Sequence, residues 1–184
     1  MHEHGSTDRR PRPGDLLSPD ELRTITSHLA GQEDFWRPQV SDLASHDAAG
    51  RRATQLLWSP TVEIWLVAWE SGQSIDLHDH DGACGAFTVC EGVLEEVRGS
   101  VAEPARPLRL RTLRRGDSMA FDGDHVHAIA NRSSGPATSI HAFSPALTAV
   151  RFYDDATGTL IPTYEKPVDD PEPTVVTTPV AAPA

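Results

Sequence analysis

From Val62 onward the chain is written in period two. Val62, Ile64, Leu66 and Ala68 fall on one side, and Glu63, Trp65, Val67 and Trp69 on the other, which is the pattern of a strand with two distinct faces. Short runs of similar character follow at 86–91, 93–98, 108–113, 118–121, 126–130, 138–143 and 150–153, separated by Gly, Pro, Asp or Asn. Strands this short and this evenly punctuated restrict the chain to an all-β sandwich or barrel. No repeat of solenoid type is visible.

Ahead of the strands stands a well-signalled helix. Ser18 can cap it, Pro19 suits its first turn, Asp20 and Glu21 favour its positive end, Leu22, Ile25 and Leu29 recur helically, and Gly31 stops it. A second helical segment is predicted from Phe35 to Leu43, with Pro38 inside it as a potential breaker. Residues 1–16 are polar and rich in Arg, Pro and Gly, and 167–184 alternate Pro, Thr, Val and Ala, so both ends are expected to be flexible around one domain at 17–166. A length of 184 residues suits a single core.

The formal charge is −11 and the basic residues are scattered, which argues against nucleic acid as a partner. Arg109, Arg111, Arg114 and Arg115 alternate with leucines as a solvated strand face would. No apolar run approaches the length of a membrane span and the N-terminal residues are polar, so a soluble, cytoplasmic protein is expected, with no membrane partner, as a monomer or weak homo-oligomer. Cys84 and Cys90 are the only cysteines and make no disulfide framework.

The chemistry lies in two spaced motifs. Gly72 is followed by five residues, then His78-Asp79-His80, then after four more Gly85 and after six more Gly92. Gly116 is followed by five residues, then Asp122-Gly123-Asp124, two more, His127, three more and Asn131. On a strand, His78 and His80 leave the same face and can reach one ion at about 2.0–2.2 Å, while Asp79 points away. His127, from another strand, would close the site across the lumen if Val126 and Ala128 face outward. His125 could exchange roles with His127, but the spacing to Asn131 favours His127, and His125 is expected at the rim.

These spacings resemble the two motifs of the cupins. The resemblance implies a single cupin (small jelly-roll) barrel with one or two N-terminal helices. Many cupins carry a Glu ligand at the position of Gly85, which has no side chain to offer, so the set here is three neutral imidazoles. A neutral set leaves an ion its full charge, favouring an anionic ligand such as a thiolate and leaving a position for dioxygen.

The string His78-Asp-His80-Asp-Gly-Ala-Cys-Gly-Ala-Phe-Thr-Val-Cys-Glu-Gly, with His127-Ala-Ile-Ala-Asn131 and Ser139-Ile-His141-Ala-Phe143-Ser144-Pro145, resembles the cysteine dioxygenase family of thiol dioxygenases over roughly residues 55–153. The resemblance implies Fe(II) on His78, His80 and His127, and insertion of both atoms of O2 into a small-molecule thiol to give a sulfinic acid. Ser139 and His141 match that family's Ser-x-His pair, which implies an imidazole steadying charge near the iron. The plainer reading of that pair is two strand residues bonded to backbone.

Three departures bear on the substrate. Phe143 stands where the best-known members have Tyr, so a phenolic proton donor is missing. Gly85 stands where animal members have the cysteine that crosslinks to that Tyr, and Cys84, one residue off, is expected on the opposite face. Members that oxidise cysteine hold its carboxylate with an Arg; an ungapped match puts Gln55 there, as in relatives resembling 3-mercaptopropionate dioxygenases, whereas a shift of three residues aligns Arg52. Losing the hydroxyl and the Arg fork weakens a carboxylate grip and opens the choice to a different or bulkier thiol. Other readings of the barrel are a cupin isomerase, a dioxygenase cleaving carbon bonds, and a non-catalytic metal-binding cupin that senses or binds a small molecule. Three imidazoles bind iron, nickel, manganese and zinc alike; the family resemblance is what selects iron.

Overall fold

The computed structural model describes residues 13–44, 52–155 and 159–167. The expected flexible ends fall, for residues 1–12 and 168–184, outside the described residues. Helix α1 (Pro19–Ala30) begins as its capping signals require: the Ser18 hydroxyl accepts from the Glu21 N–H at 3.4 Å, and the Glu21 carboxylate accepts from the Ser18 N–H at 2.8 Å. A second helix, α2 (Glu33–Ala44), runs straight through Pro38. That proline is the sixth helical residue, so the bond it removes is the one to the Asp34 carbonyl, and burial of Trp36 anchors the same turn.

Eleven strands follow among the described residues: β1 (Arg52–Ser59), β2 (Val62–Trp69), β3 (Ser74–His78), β4 (Cys84–Glu91), β5 (Val93–Ser100), β6 (Arg109–Arg114), β7 (Ser118–Phe121), β8 (His125–Ala130), β9 (Ala137–Ser144), β10 (Ala149–Asp154) and β11 (Ile161–Pro167). They form two antiparallel sheets, one in the order β1-β2-β9-β4-β7 and the other β11-β10-β3-β8-β5-β6. Neighbours in each sheet are mostly distant in sequence, as in a jelly roll. The helices cover the outside of the first sheet. Leu22 and Trp36 pack there against Ile64, Leu66, Ala86, Ile140 and Ala142.

The alternation read in β2 divides along this line. Its even positions face the helices, while Trp65, Val67 and Trp69 join Phe87, Phe121, Leu94, Ile129 and Phe143 in the lumen between the sheets. The second sheet's outer face carries a smaller cluster of Leu77, Val126 and Leu160, with Ala128 packed against it. Val126 and Ala128 therefore face outward, and His127 inward, as the spacing predicts. No helix among the described residues is long and apolar enough to cross a membrane.

One turn shows how tightly the sheets are closed. Gly92, between β4 and β5, has φ +79°, and a Cβ placed on it would sit 2.5 Å from the Pro136 carbonyl oxygen. Gly92→Ala is therefore expected to destabilise the fold by about 2 kcal/mol or more, read as a lower denaturation midpoint at unchanged m-value.

Candidate metal centre

His78 is the last residue of β3, and its Cα lies opposite that of His127 on β8. His80 falls two residues beyond the strand end, so the pleat does not carry both motif histidines, contrary to the expectation from their spacing. What aims His80 is the anchorage of Asp79 between them. Asp79 is buried and turned away from the lumen: its carboxylate accepts from Tyr153 Oη at 2.7 Å and from Arg151 Nη1 at 3.1 Å, and its N–H donates to the Arg151 carbonyl at 2.9 Å. With that residue clamped to β10, its two neighbours are directed back into the lumen.

The three rings form a nearly equilateral group. Centroid distances are 5.0 Å for His78–His80, 4.8 Å for His78–His127 and 5.0 Å for His80–His127, and one ligand atom from each lies within 4.8 Å of the others. All three are buried, at 5%, 3% and 1% exposure. His78 Nδ1 donates to the Asp76 carbonyl at 2.7 Å and His127 Nδ1 to Glu96 Oε1 at 2.9 Å, which leaves Nε2 of each as the ligating nitrogen. His80 Nδ1 is buried without a hydrogen-bond partner. Burial first, then the rings of His127, His78, His125 and His141, hold the His80 imidazolium well below its usual range, so this ring is a neutral donor. Three converging ring nitrogens, with one buried ring atom unsatisfied, fit a divalent ion that accepts nitrogen ligands.

Glu96, on β5, is fully buried and was not singled out by sequence. Its Oε1 accepts from His127 Nδ1 and, at 3.2 Å, from His125 Nε2. Burial opposes its ionisation, but the two imidazole hydrogen bonds outweigh that and hold the carboxyl well below the usual carboxylate range. It therefore fixes the tautomer of His127. His125, expected at the rim, is instead 7% exposed and stacked on Phe121 at 4.5 Å. The available signal for Glu96 was an acidic residue in an inward register two places after Leu94.

The first sheet supplies the opposite wall. Phe121 and Phe143 flank the His80 ring at 5.1 and 4.8 Å. Gly85 lies beneath them, and a Cβ there would meet Phe121 Cζ at 2.5 Å and Phe143 Cδ1 at 2.9 Å. The rings thus occupy the space a side chain at position 85 would need. Cys84 faces the other way, in the helix-side cluster, with Sγ 3.2 Å from the Leu17 carbonyl. Ser139 Oγ lies 2.8 Å from His141 Nε2 and accepts from Trp69 Nε1 at 2.9 Å, and the His141 ring stacks on Phe87 at 5.1 Å. The pair is held by side chains, not only by backbone.

Register separates the two substrate-holding candidates. Gln55 pairs with Trp65 and so shares the lumen face, and its Nε2 lies 3.4 Å from Glu63 Oε2. Arg52 pairs with Ala68 on the other face and forms an ion pair with Glu70. Arg52 is not brought to the histidines.

Two antiparallel sheets around an inward-facing histidine group define a cupin. Residues 39–156 match the family model described as cysteine dioxygenase type I, and the chain belongs to that family. It is also similar to germin-like protein subfamily 3 member 3 of Arabidopsis thaliana, 37% identical over 84 residues, covering 44% of this chain and 38% of that protein. The chain thus spans about two fifths of the length of that curated relative. Among solved structures, an oxalate oxidase superposes with a TM-score of 0.50 at 20% identity, over 58% of this chain and 57% of that one. A double-stranded β-helix protein from Klebsiella pneumoniae subsp. pneumoniae MGH 78578 gives 0.49 at 19% identity, over 58% and 87%. At such identity, the oxalate oxidase likeness concerns the fold alone.

Glu96→Gln keeps the shape of the side chain but removes the charge that orients His127. Metal affinity, measured by chelator competition, is expected to fall about 10- to 100-fold, while the melting temperature of the metal-free protein changes far less.

Proposed function

We propose that this chain is a non-haem Fe(II)-dependent thiol dioxygenase that converts a small-molecule thiol to its sulfinic acid. The observation that carries the reading is a donor set of three buried imidazoles with no donor at position 85, which is closed by two phenyl rings; Glu96 and His125, which also gather at His127, bond to each other there, Glu96 taking the Nδ1 side of His127. His78, His80 and His127 would hold the ion. Ferrous iron bound there supplies a Lewis acid that favours a thiolate over a thiol and a redox partner for dioxygen. The overall change, R–SH + O2 → R–SO2H, needs no other reductant: sulfur gives up four electrons, both oxygen atoms end on it, and the thiol proton ends on the sulfinic acid.

The protein's own groups do the positioning. Phe121, Phe143 and Phe87 line the lumen and exclude water from it. Trp69 Nε1 can only donate, so it occupies one lone pair of Ser139 Oγ, whose hydrogen and second lone pair both remain to hold His141 Nε2 in either tautomer. Held in this way, the His141 imidazole can stabilise charge developing on sulfur-bound oxygen. Phe143 keeps the wall but donates no proton, which places that task on His141 alone. Membership of the cysteine dioxygenase family supports the same reaction class.

Oxygen uptake by the iron-loaded protein should require a thiol and match sulfinate formed one to one. Metal removal or His127→Ala should abolish it. His141→Ala should lower kcat about 10²-fold or more with metal content retained. No thiol-dependent uptake across cysteine, 3-mercaptopropionate, cysteamine, mercaptolactate and thiol-imidazoles would sink the reading.

A further inference from the structure

Glu63 is a buried carboxyl that the proposed chemistry leaves unused. It is 1% exposed, its Oε1 has no hydrogen-bond partner, and the neutral groups around the carboxyl are Gln55 Nε2, 3.4 Å from Oε2, the Trp65 side chain and the Leu147 N–H, with no cation among them. Its place follows from register. On β2 it falls on the lumen side with Trp65, opposite Phe143 of β9 and opposite Trp58 of β1. Phe143 is the ring packed against His80, so Glu63 stands one strand from the wall of the histidine group, about 5 Å between Cα atoms. Trp58 is 61% exposed, so the same face reaches solvent at its far side.

A carboxyl buried among aromatic rings is costly unless a group of opposite charge completes it. Aromatic faces beside a carboxylate are also the surroundings that attract ammonium and quaternary ammonium groups. A second carboxylate brought to the same place meets like charge. Arg52, the guanidinium that could have neutralised it, is held by Glu70 on the other face.

We infer that Glu63 determines specificity in this site, and that the thiol admitted carries a cationic nitrogen, ammonium or alkylated, at the end remote from sulfur. This rests on the thiol dioxygenase reading for the sulfur end alone. Gln55 donates to the carboxylate and sets its orientation, while Trp58 and Trp65 supply the aromatic surfaces. Burial raises the Glu63 carboxyl above its ordinary range, against weaker opposing effects of the Trp65 side chain and the Leu147 N–H. A bound cation reverses that shift, so ligand and ionised carboxylate stabilise each other.

Cysteamine and 3-mercaptopropionate differ almost only in the sign of the charge two carbons from sulfur, and thiocholine adds a quaternary nitrogen. Anaerobic calorimetry of the iron-loaded protein should give dissociation constants at least tenfold lower for cysteamine and thiocholine than for 3-mercaptopropionate. Glu63→Gln should erase most of that ratio. Trp58→Ala, at an exposed position, should weaken thiocholine several-fold more than it weakens 3-mercaptopropionate. Equal or tighter binding of 3-mercaptopropionate by the wild-type protein overturns the inference without any variant, as does an unchanged ratio in folded Glu63→Gln. Oxygen uptake is read separately: a cationic preference with no uptake of any kind keeps the charge selectivity and removes the dioxygenase reading, and uptake with an acidic preference does the reverse.

Discussion

Five imidazoles and two carboxyls are packed into a lumen lined mainly by aromatic and aliphatic side chains, where water cannot complete them. Each polar atom there must find a partner in the protein or in something the protein binds. Most of the arrangement follows from this demand. Asp76 and Glu96 each take one ring nitrogen of a motif histidine, Ser139 takes one of His141, and Glu96 also takes His125. The satisfied nitrogens decide which ones remain to converge. The backbone supplies the rest of the constraint, because His78 and His127 face each other across a single β3–β8 step.

Much of the architecture was legible because alternation in a two-layer β fold is decided by burial. β2 and the runs that became β4 to β10 appear within two residues of their expected bounds, and α1 was marked at both ends by capping chemistry. Two strands are missing from the sequence reading, and a third is legible only at its histidine end. β1 has a register shift between Gln55 and Leu57 that breaks its period, β3 is only five residues long with an acidic residue inside, and β11 contains proline at an outer edge of its sheet. A bulge, a short strand and an edge proline each erase the signal that alternation would carry.

The site divides in the same way. The motif histidines could be selected by spacing, and Gln55 and Arg52 could not be told apart until register put them on opposite faces of β1. Glu96 and Glu63 escaped notice because acidic residues are ordinarily surface residues, although each sits in a row of inward positions. His125 was placed at the rim for want of the same information: only the position of Glu96 shows that a histidine two residues before His127 has an interior partner. Asp79 is a further case, since the direction of His80 depends on a strand more than 70 residues away.

The packing of Phe121 and Phe143 over Gly85 has a consequence for how this centre can change. Replacing the glycine by glutamate or cysteine is a one-position edit on paper, yet the volume it needs is already held by two phenyl groups from different strands. A four-donor centre therefore requires both rings to be displaced or trimmed in the same variant, and a thioether-linked one requires room made at Phe121 together with a hydroxylated ring at position 143. Single exchanges at this position would meet a fold that resists them before any new chemistry could be tried, and the three-imidazole centre is in that sense locked by its hydrocarbon neighbours and not by its ligands.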